Sequence, residues 1–264
     1  MSISMKDRVV YISGGSCMMA RGTATAFLEE GASVVLGDLR QDLLDEAKAD
    51  LVQKGFLSEK ISTTQMNLTD LATVKTTFDD AEKAFGKVDI LVNIAGVIIG
   101  YYKLDDMREE DWDLTFNVNV KGLMEMSREF VKRLKARNAG GSIVNVASNA
   151  AKVCFADMAD YNASKAAVMN LTQSMALEWA PYGINVSAVC PGAVDTAMLR
   201  KCMEESIRLY GGDMEEMRKT WGPPQLGRLI QPYEVGRVIR FLASEDAVII
   251  RGQAISVDAG NTRF

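Results

Sequence analysis

The chain contains no histidine. That single absence excludes Ser-His-Asp and Cys-His catalysis, histidine-ligated metals and an unperturbed imidazole switch, so acid–base chemistry must use other groups. Cysteine is scarce at four, and Cys17, Cys154, Cys190 and Cys202 form no C-x-x-C pair. They read as unpaired thiols of a reducing compartment. Only five prolines are present, and no Pro/Ser-rich linker, low-complexity tract or internal repeat divides the chain. No apolar run approaches the roughly 18 residues of a membrane span, and MSISMKDRVV carries no signal-peptide apolar region. A soluble cytoplasmic protein with no membrane partner is expected. A basic excess is also missing: 30 Lys+Arg against 35 Asp+Glu give a formal net charge of −5. Nucleic acid, which needs a positive footprint, is not an expected partner.

What is present is globular. With 48% hydrophobic and 25% charged residues in a length of 264, the chain can bury a sizeable core as one domain spanning 1–264. Short β-branched runs alternate with longer segments of helical period. Strands are predicted at 8–13, 33–37, 61–66, 89–93, 142–147, 184–190 and 254–257. Helices are predicted at 18–30, 41–54, 70–85, 109–137, 159–180 and 234–244; Leu43, Leu44, Ala47 and Leu51, for instance, fall on one helical face. Such alternation with continuous apolar strands implies an α/β fold, a Rossmann-like doubly wound parallel sheet of seven strands flanked by helices. Its sites should gather at the carboxyl ends of the strands. The segment 197–231 breaks the rhythm with two helical pieces, CMEESIRLY and MEEMRKTW, and reads as a lid.

After the first strand comes Ser13-Gly14-Gly15-Ser16-Cys17-Met18-Met19-Ala20-Arg21-Gly22, opening a helix, and about twenty residues on stands Asp38. Backbone N–H groups at a helix start attract pyrophosphate, and a carboxylate closing the second strand accepts hydrogen bonds from ribose hydroxyls. An acid there would repel a 2′-phosphate, so NAD(H) is favoured over NADP(H). Met18 and Ala20 stand where glycines are expected. Met18 would narrow the approach to phosphate, and a left-handed conformation there would cost energy.

Tyr161 and Lys165 stand four apart on a predicted helix and project from one face. A nearby ammonium favours the phenolate of a group whose ordinary pKa is about 10, which makes a usable proton-transfer pair. Ser148 follows an apolar strand and can hydrogen-bond a substrate oxygen. Asn119, in Phe116-Asn117-Val118-Asn119-Val120-Lys121-Gly122, interrupts a buried helix with a polar group.

Together these residues resemble the short-chain dehydrogenase/reductase family, from Val9 to Gly260. The likeness includes Asn93-Ile94-Ala95-Gly96, Pro191-Gly192 with Thr196, and Val257-Asp258-Ala259-Gly260. The resemblance implies Tyr161 as general acid/base, Lys165 lowering its pKa and holding the nicotinamide ribose, Ser148 stabilising the oxyanion and Asn119 supporting a water relay. It assigns Gly14, Ser16, Cys17 and Met19 to the phosphate turn, and Asp38 and Leu39 to the adenosine ribose side. Asn67 and Leu68 go to the adenine, with Asn67 in place of the usual aspartate, and Asn93 and Ala95 to the cofactor ribose side. Pro191, Val194 and Thr196 go to the nicotinamide. No metal is required. The likeness also implies a homotetramer.

The implied reaction moves a hydride between nicotinamide C4 and a secondary alcohol or ketone. Substrate contacts are expected from Asn149, Ala150, Lys152 and Phe155, from 97–102, and from Met198, Met203, Tyr210, Met214 and Trp221. These methionines and aromatics suit a bulky apolar substrate such as a steroid or bile acid, the substrates of a hydroxysteroid dehydrogenase, or else simply pack the lid. Lys152, Arg200 and Arg208 could meet a substrate carboxylate or lie on a solvated face. A polyol, sugar or 3-oxoacyl substrate stays open. So do an epimerase or dehydratase using the same tyrosine, and a binding or regulatory protein that kept the fold without turnover.

Overall fold

The computed structural model describes residues 4–262. Residues 1–3 and 263–264, part of the expected 1–264 domain, lie outside the described residues. Seven parallel strands form one sheet in the order β3-β2-β1-β4-β5-β6-β7. They are β1 (Val9–Ser13), β2 (Ser33–Asp38), β3 (Ile61–Gln65), β4 (Ile90–Asn93), β5 (Gly141–Val146), β6 (Ile184–Pro191) and β7 (Ala254–Val257). The helices are α1 (Met18–Leu28), α2 (Gln41–Gln53), α3 (Leu71–Phe85), α4 (Glu109–Phe116), α5 (Leu123–Ala136), α6 (Ala159–Trp179), α7 (Ala197–Tyr210), α8 (Met214–Trp221) and α9 (Pro232–Leu242). The doubly wound α/β expectation holds, and the strand bounds agree with the predicted ones to within a residue or so. Among the described residues no helix is long and apolar enough to cross a membrane.

Side chains alternate across the pleat and divide the core in two. Val10 and Ile12 of β1 face one layer, with Phe27 of α1, Leu44 of α2 and Ile239 of α9. Val9 and Tyr11 face the other, with Phe78 of α3, Phe130 of α5 and Val168 of α6. Burial on both faces explains why the central strands lack polar alternation. Local signals set the helix ends: the Asp70 carboxylate accepts from Ala72 N–H at the start of α3, and Gly86, left-handed at φ 77°, ends it. Pro232 opens α9, where the Glu234 carboxylate accepts from the Gln231 N–H at 2.8 Å.

One predicted helix is divided. The span expected at 109–137 is broken by a π-helical stretch, Asn117–Gly122, between α4 and α5. Its physical reason is Asn119, fully buried. The Asn119 Oδ1 accepts from Val97 N–H at 2.8 Å, while Nδ2 donates to Val97 O and to Ser164 Oγ, both at 3.0 Å. Turning that amide toward the chain after β4 takes the extra residue per turn that a π bulge supplies. The predicted lid holds both helical pieces, but α7 begins five residues before CMEESIRLY, because Thr196 Oγ1 caps it by accepting from Leu199 N–H at 3.2 Å.

Candidate active site

A cleft of about 1080 Å³ runs along the carboxyl ends of the strands and beneath α7 and α8. At one end is the turn after β1. Gly14 adopts φ 73°, and a Cβ there would lie 2.8 Å from the Ala95 backbone; one on Gly15 would lie 2.8 Å from Leu36 Cα. Only glycine fits both places, so the turn lies flat and leaves the start of α1 open. Cys17 caps that helix, its Sγ accepting from Ala20 N–H at 3.4 Å. Asp38 is fixed beside the turn. Its Oδ2 accepts from Ser16 N–H at 3.0 Å and Ser16 Oγ–H at 2.6 Å, and its Oδ1 from Leu39 N–H at 2.7 Å. A glycine turn, an open helix start and an anchored carboxylate fit the pyrophosphate and adenosine ribose of a dinucleotide.

Met18 proves benign for the backbone. It is the first residue of α1 and is absent from the left-handed non-glycine residues, which are Asp7, Asn138, Asp157 and Ala259. The strain expected at this position does not arise, because the turn is completed by Gly14 before Met18 is reached.

At the other end stand Ser148, Tyr161 and Lys165. Ser148 leaves β5 in extended conformation and accepts from Ala150 N–H at 3.1 Å. The Tyr161 phenol, on the first turn of α6, faces its hydroxyl. One turn on, Lys165 is 3% exposed, with Nζ 5.6 Å from the Tyr161 ring centre and donating to Val146 O at 2.8 Å. Burial pushes Tyr161 up to about 12, partly offset by Ser148, and holds Lys165 down to about 8. The only group that lowers the phenol here is Ser148, and both charged forms are disfavoured by desolvation. A phenol so held is a proton donor at neutral pH.

A polar thread through the sheet sets this geometry. Asn145 Nδ2 donates to Thr172 Oγ1 of α6 at 2.9 Å, and Asn93 Nδ2 donates to Asn145 Oδ1 at 2.9 Å and Ser127 Oγ at 3.0 Å. It pins α6 in rotation against β5, and thus Tyr161 against Ser148. Asn145 and Thr172 were not singled out in the sequence; the signal was an amide inside the apolar run Ser142-Ile143-Val144-Asn145-Val146.

Gly14, Ser16, Cys17, Met19, Asp38, Leu39, Asn67, Leu68, Ala95, Ser148, Tyr161, Lys165, Pro191, Val194 and Thr196 all line the cleft. Two expected residues do not. Asn93 is buried beneath the cleft with its Nδ2 donating into the sheet thread, and Asn119 holds the Val97 backbone. Both amides position backbone and neighbours, and Asn119 Oδ1 and Lys165 Nζ both lie beside Gly96. Asn67 Oδ1 accepts from Thr69 N–H and Oγ–H, which leaves its Nδ2 for a ligand.

On the substrate side, Val97, Ile98, Tyr101, Phe155, Met198 and Trp221 line the cavity, as do Asn149, Ala150 and Tyr210. Met203 and Met214 pack under the lid against Ala193 and Leu229. Lys152 is turned away, donating to Ser256 Oγ at 2.9 Å, and Arg200 and Arg208 pair with Asp195 and Glu205. None of the three cations lines the main cleft. A contact missed in the sequence ties the end of α7 to the chain before α6: Lys103 Nζ meets Asp157 at 2.9 Å and Tyr210 Oη at 2.8 Å, and the Tyr210 hydroxyl donates to Asp157.

The family model described as "Enoyl-(Acyl carrier protein) reductase" matches residues 16–262. The chain is 33% identical to an NAD-dependent glycerol dehydrogenase of Listeria innocua, over 98% of this chain and 95% of that protein. It is 35% identical to a 3-oxoacyl-[acyl-carrier-protein] reductase of Thermotoga maritima, over 97% and 98%. The crystal structure of a variant actinorhodin polyketide ketoreductase with NADPH superposes with a TM-score of 0.92 at 26% identity, covering 99% of this chain and 100% of that one. By motif, fold and relatives alike, the chain belongs to the short-chain dehydrogenase/reductase family, nicotinamide-dependent oxidoreductases that act on CH–OH groups.

Proposed function

We propose that this protein interconverts a secondary alcohol and a ketone with NAD(H), using Tyr161 to move the proton. The observation that carries the reading is one cleft with Ser148 and Tyr161 facing each other at one end and the anchored Asp38 at the other. Gly14, Ser16 and Met19 would hold the pyrophosphate, Asp38 the adenosine ribose, and Val194 and Thr196 the nicotinamide, which supplies or accepts the hydride. Ser148 holds the substrate oxygen, and Tyr161 donates to it in reduction or accepts from it in oxidation. Lys165 keeps the phenol's surroundings positive when charged.

Asp38 supports NAD(H) over NADP(H), since a 2′-phosphate would place anion against anion. The apolar wall of Ile98, Met198 and Trp221 suits a ketone with a substantial hydrocarbon part, steroids and bile acids among them. A polyol or 3-oxoacyl substrate is the second reading, favoured by the polar Tyr101 on the same wall. A screen of NAD+ and NADP+ with sterols, bile acids, polyols and acyl thioesters tests both. We expect turnover with NAD+ preferred by about 100-fold; a preference for NADP+ would contradict the role given to Asp38.

A homotetramer is part of the same proposal. Trp112, Leu114 and Leu177 are large apolar side chains left exposed on α4 and α6, Leu177 at 79%. Size-exclusion chromatography with light scattering should give four times the 28.9 kDa chain mass, and a monomer mass would remove this element.

A further inference from the structure

Between the reacting groups and the lid lies a buried hydroxyl that hydride transfer leaves unused. Tyr101, in the chain that follows β4, is 8% exposed, and its Oη is buried without a hydrogen-bond partner. It packs with Met158 and Cys202, and with Ile98, Tyr161 and Trp221 beside them. All six line the main cleft. The polar groups around its hydroxyl are the Cys202 thiol, the Tyr161 phenol and the Asp157 carboxylate. Only the Cys202 sulfur is placed to take its proton, and only weakly. A thiol is a weak partner, the Asp157 carboxylate is engaged by Lys103 and Tyr210, and the Tyr161 phenol faces Ser148. Burial keeps the Tyr101 phenol protonated, so it is a standing donor in an otherwise apolar wall. A buried donor without an acceptor is unfavourable, and a ligand that supplies one is preferred to a ligand that does not.

We infer that Tyr101 is a specificity-determining residue, its hydroxyl donating to a second oxygen that the substrate carries close to the reacting carbonyl. The inference rests on the redox reading above and deepens it. Preferred substrates are then α- or β-oxygenated ketones and the matching hydroxy alcohols, and isolated ketones are discriminated against. The second oxygen must lie near the first because Tyr101 and Tyr161 belong to one contact cluster.

The test uses the full chain with NADH and two matched pairs: 3-hydroxybutan-2-one against butan-2-one, and ethyl 3-oxobutanoate against hexan-2-one. The parent should favour the oxygenated member of at least one pair by about 10- to 100-fold in kcat/KM. Tyr101→Phe keeps the ring and should cut that preference below about threefold, the loss falling mainly on the oxygenated member. Thermal melting checks that the variant is folded, and the parent's own preference stands as a readout without it. Equal parent rates within both pairs, or an undiminished preference in Tyr101→Phe, would overturn the inference. Turnover confined to other ketones of the wider screen overturns it as well and leaves the redox reading intact. No turnover anywhere in that screen overturns the redox reading, and the inference with it.

Discussion

Tyr161→Phe is expected to lower kcat/KM for ketone reduction by about 10³-fold while NADH binding and thermal stability stay close to those of the parent. The substitution removes one oxygen and keeps the ring packing against Tyr101 and Met158. Without it the developing alkoxide keeps the hydrogen bond from Ser148 but has no proton donor within reach. Burial, which pushes the Tyr161 phenol up to about 12, also sets a direction with pH. The acid form is present throughout the neutral range, so reduction should be nearly flat up to about pH 8 and fall above it as Lys165 loses its charge. Oxidation needs the phenolate and should rise across the same range. A Phe variant with a rate within about tenfold of the parent would show that another group moves the proton.

Lys165→Met should have a comparable effect on turnover, about 100-fold or more, and in addition a signature in stability. The folded protein holds this lysine down to about 8 because its amine is buried, against about 10.4 in an unfolded chain. A folded pKa below the unfolded one means that burying the charge opposes folding. That opposition is full below about pH 8 and is released as pH rises through the window from about 8 to 10.4, where the unfolded chain binds the extra proton. The parent should therefore gain stability relative to Lys165→Met between pH 8 and pH 10.4, by about 3 kcal/mol at most. Urea unfolding of both proteins at the two ends of the window measures it. A constant difference would mean that the amine is not desolvated as its surroundings imply. The same measurement separates Lys165 as a buried charge from Lys165 as a mere packing residue, because only the former depends on pH.

What the sequence made legible was what repeats or lies close along the chain. Val9, Val10, Tyr11 and Ile12 announce a strand buried on both faces, and the four-residue spacing of Tyr161 and Lys165 places both on one helix face. Gly14 and Asp38 mark the two ends of a βαβ unit. What stayed hidden depends on contacts between distant segments. Asn119 was visible as a polar residue in a helix, but its bonds to the Val97 backbone, and the π bulge they favour, required the fold. Asn93, which closes β4, was matched to the cofactor side from its motif, and the bonds of its Nδ2 to Asn145 and Ser127 could not be read from that motif. The contact among Lys103, Asp157 and Tyr210 joins residues separated by up to 107 positions. Met18 looked strained from spacing alone, and only the dihedral angles show that Gly14 takes the turn, while the Met18 side chain still lines the cleft. The pairing of Asp258 with Gly260 and Thr262 likewise turns a matched motif, Val257-Asp258-Ala259-Gly260, into a structural turn near the chain end.

The claim on which the account rests is that hydride and proton meet in this cleft, the proton by way of Tyr161. Incubating the protein with a ketone it reduces and NADH carrying deuterium at both C4 positions of the nicotinamide, followed by mass spectrometry of the alcohol, tests it most directly. The account predicts one deuterium on the carbinol carbon, delivered by the parent and reduced to background by Tyr161→Phe. Alcohol formed without the label, or labelled at the parental rate by the Phe variant, would contradict it.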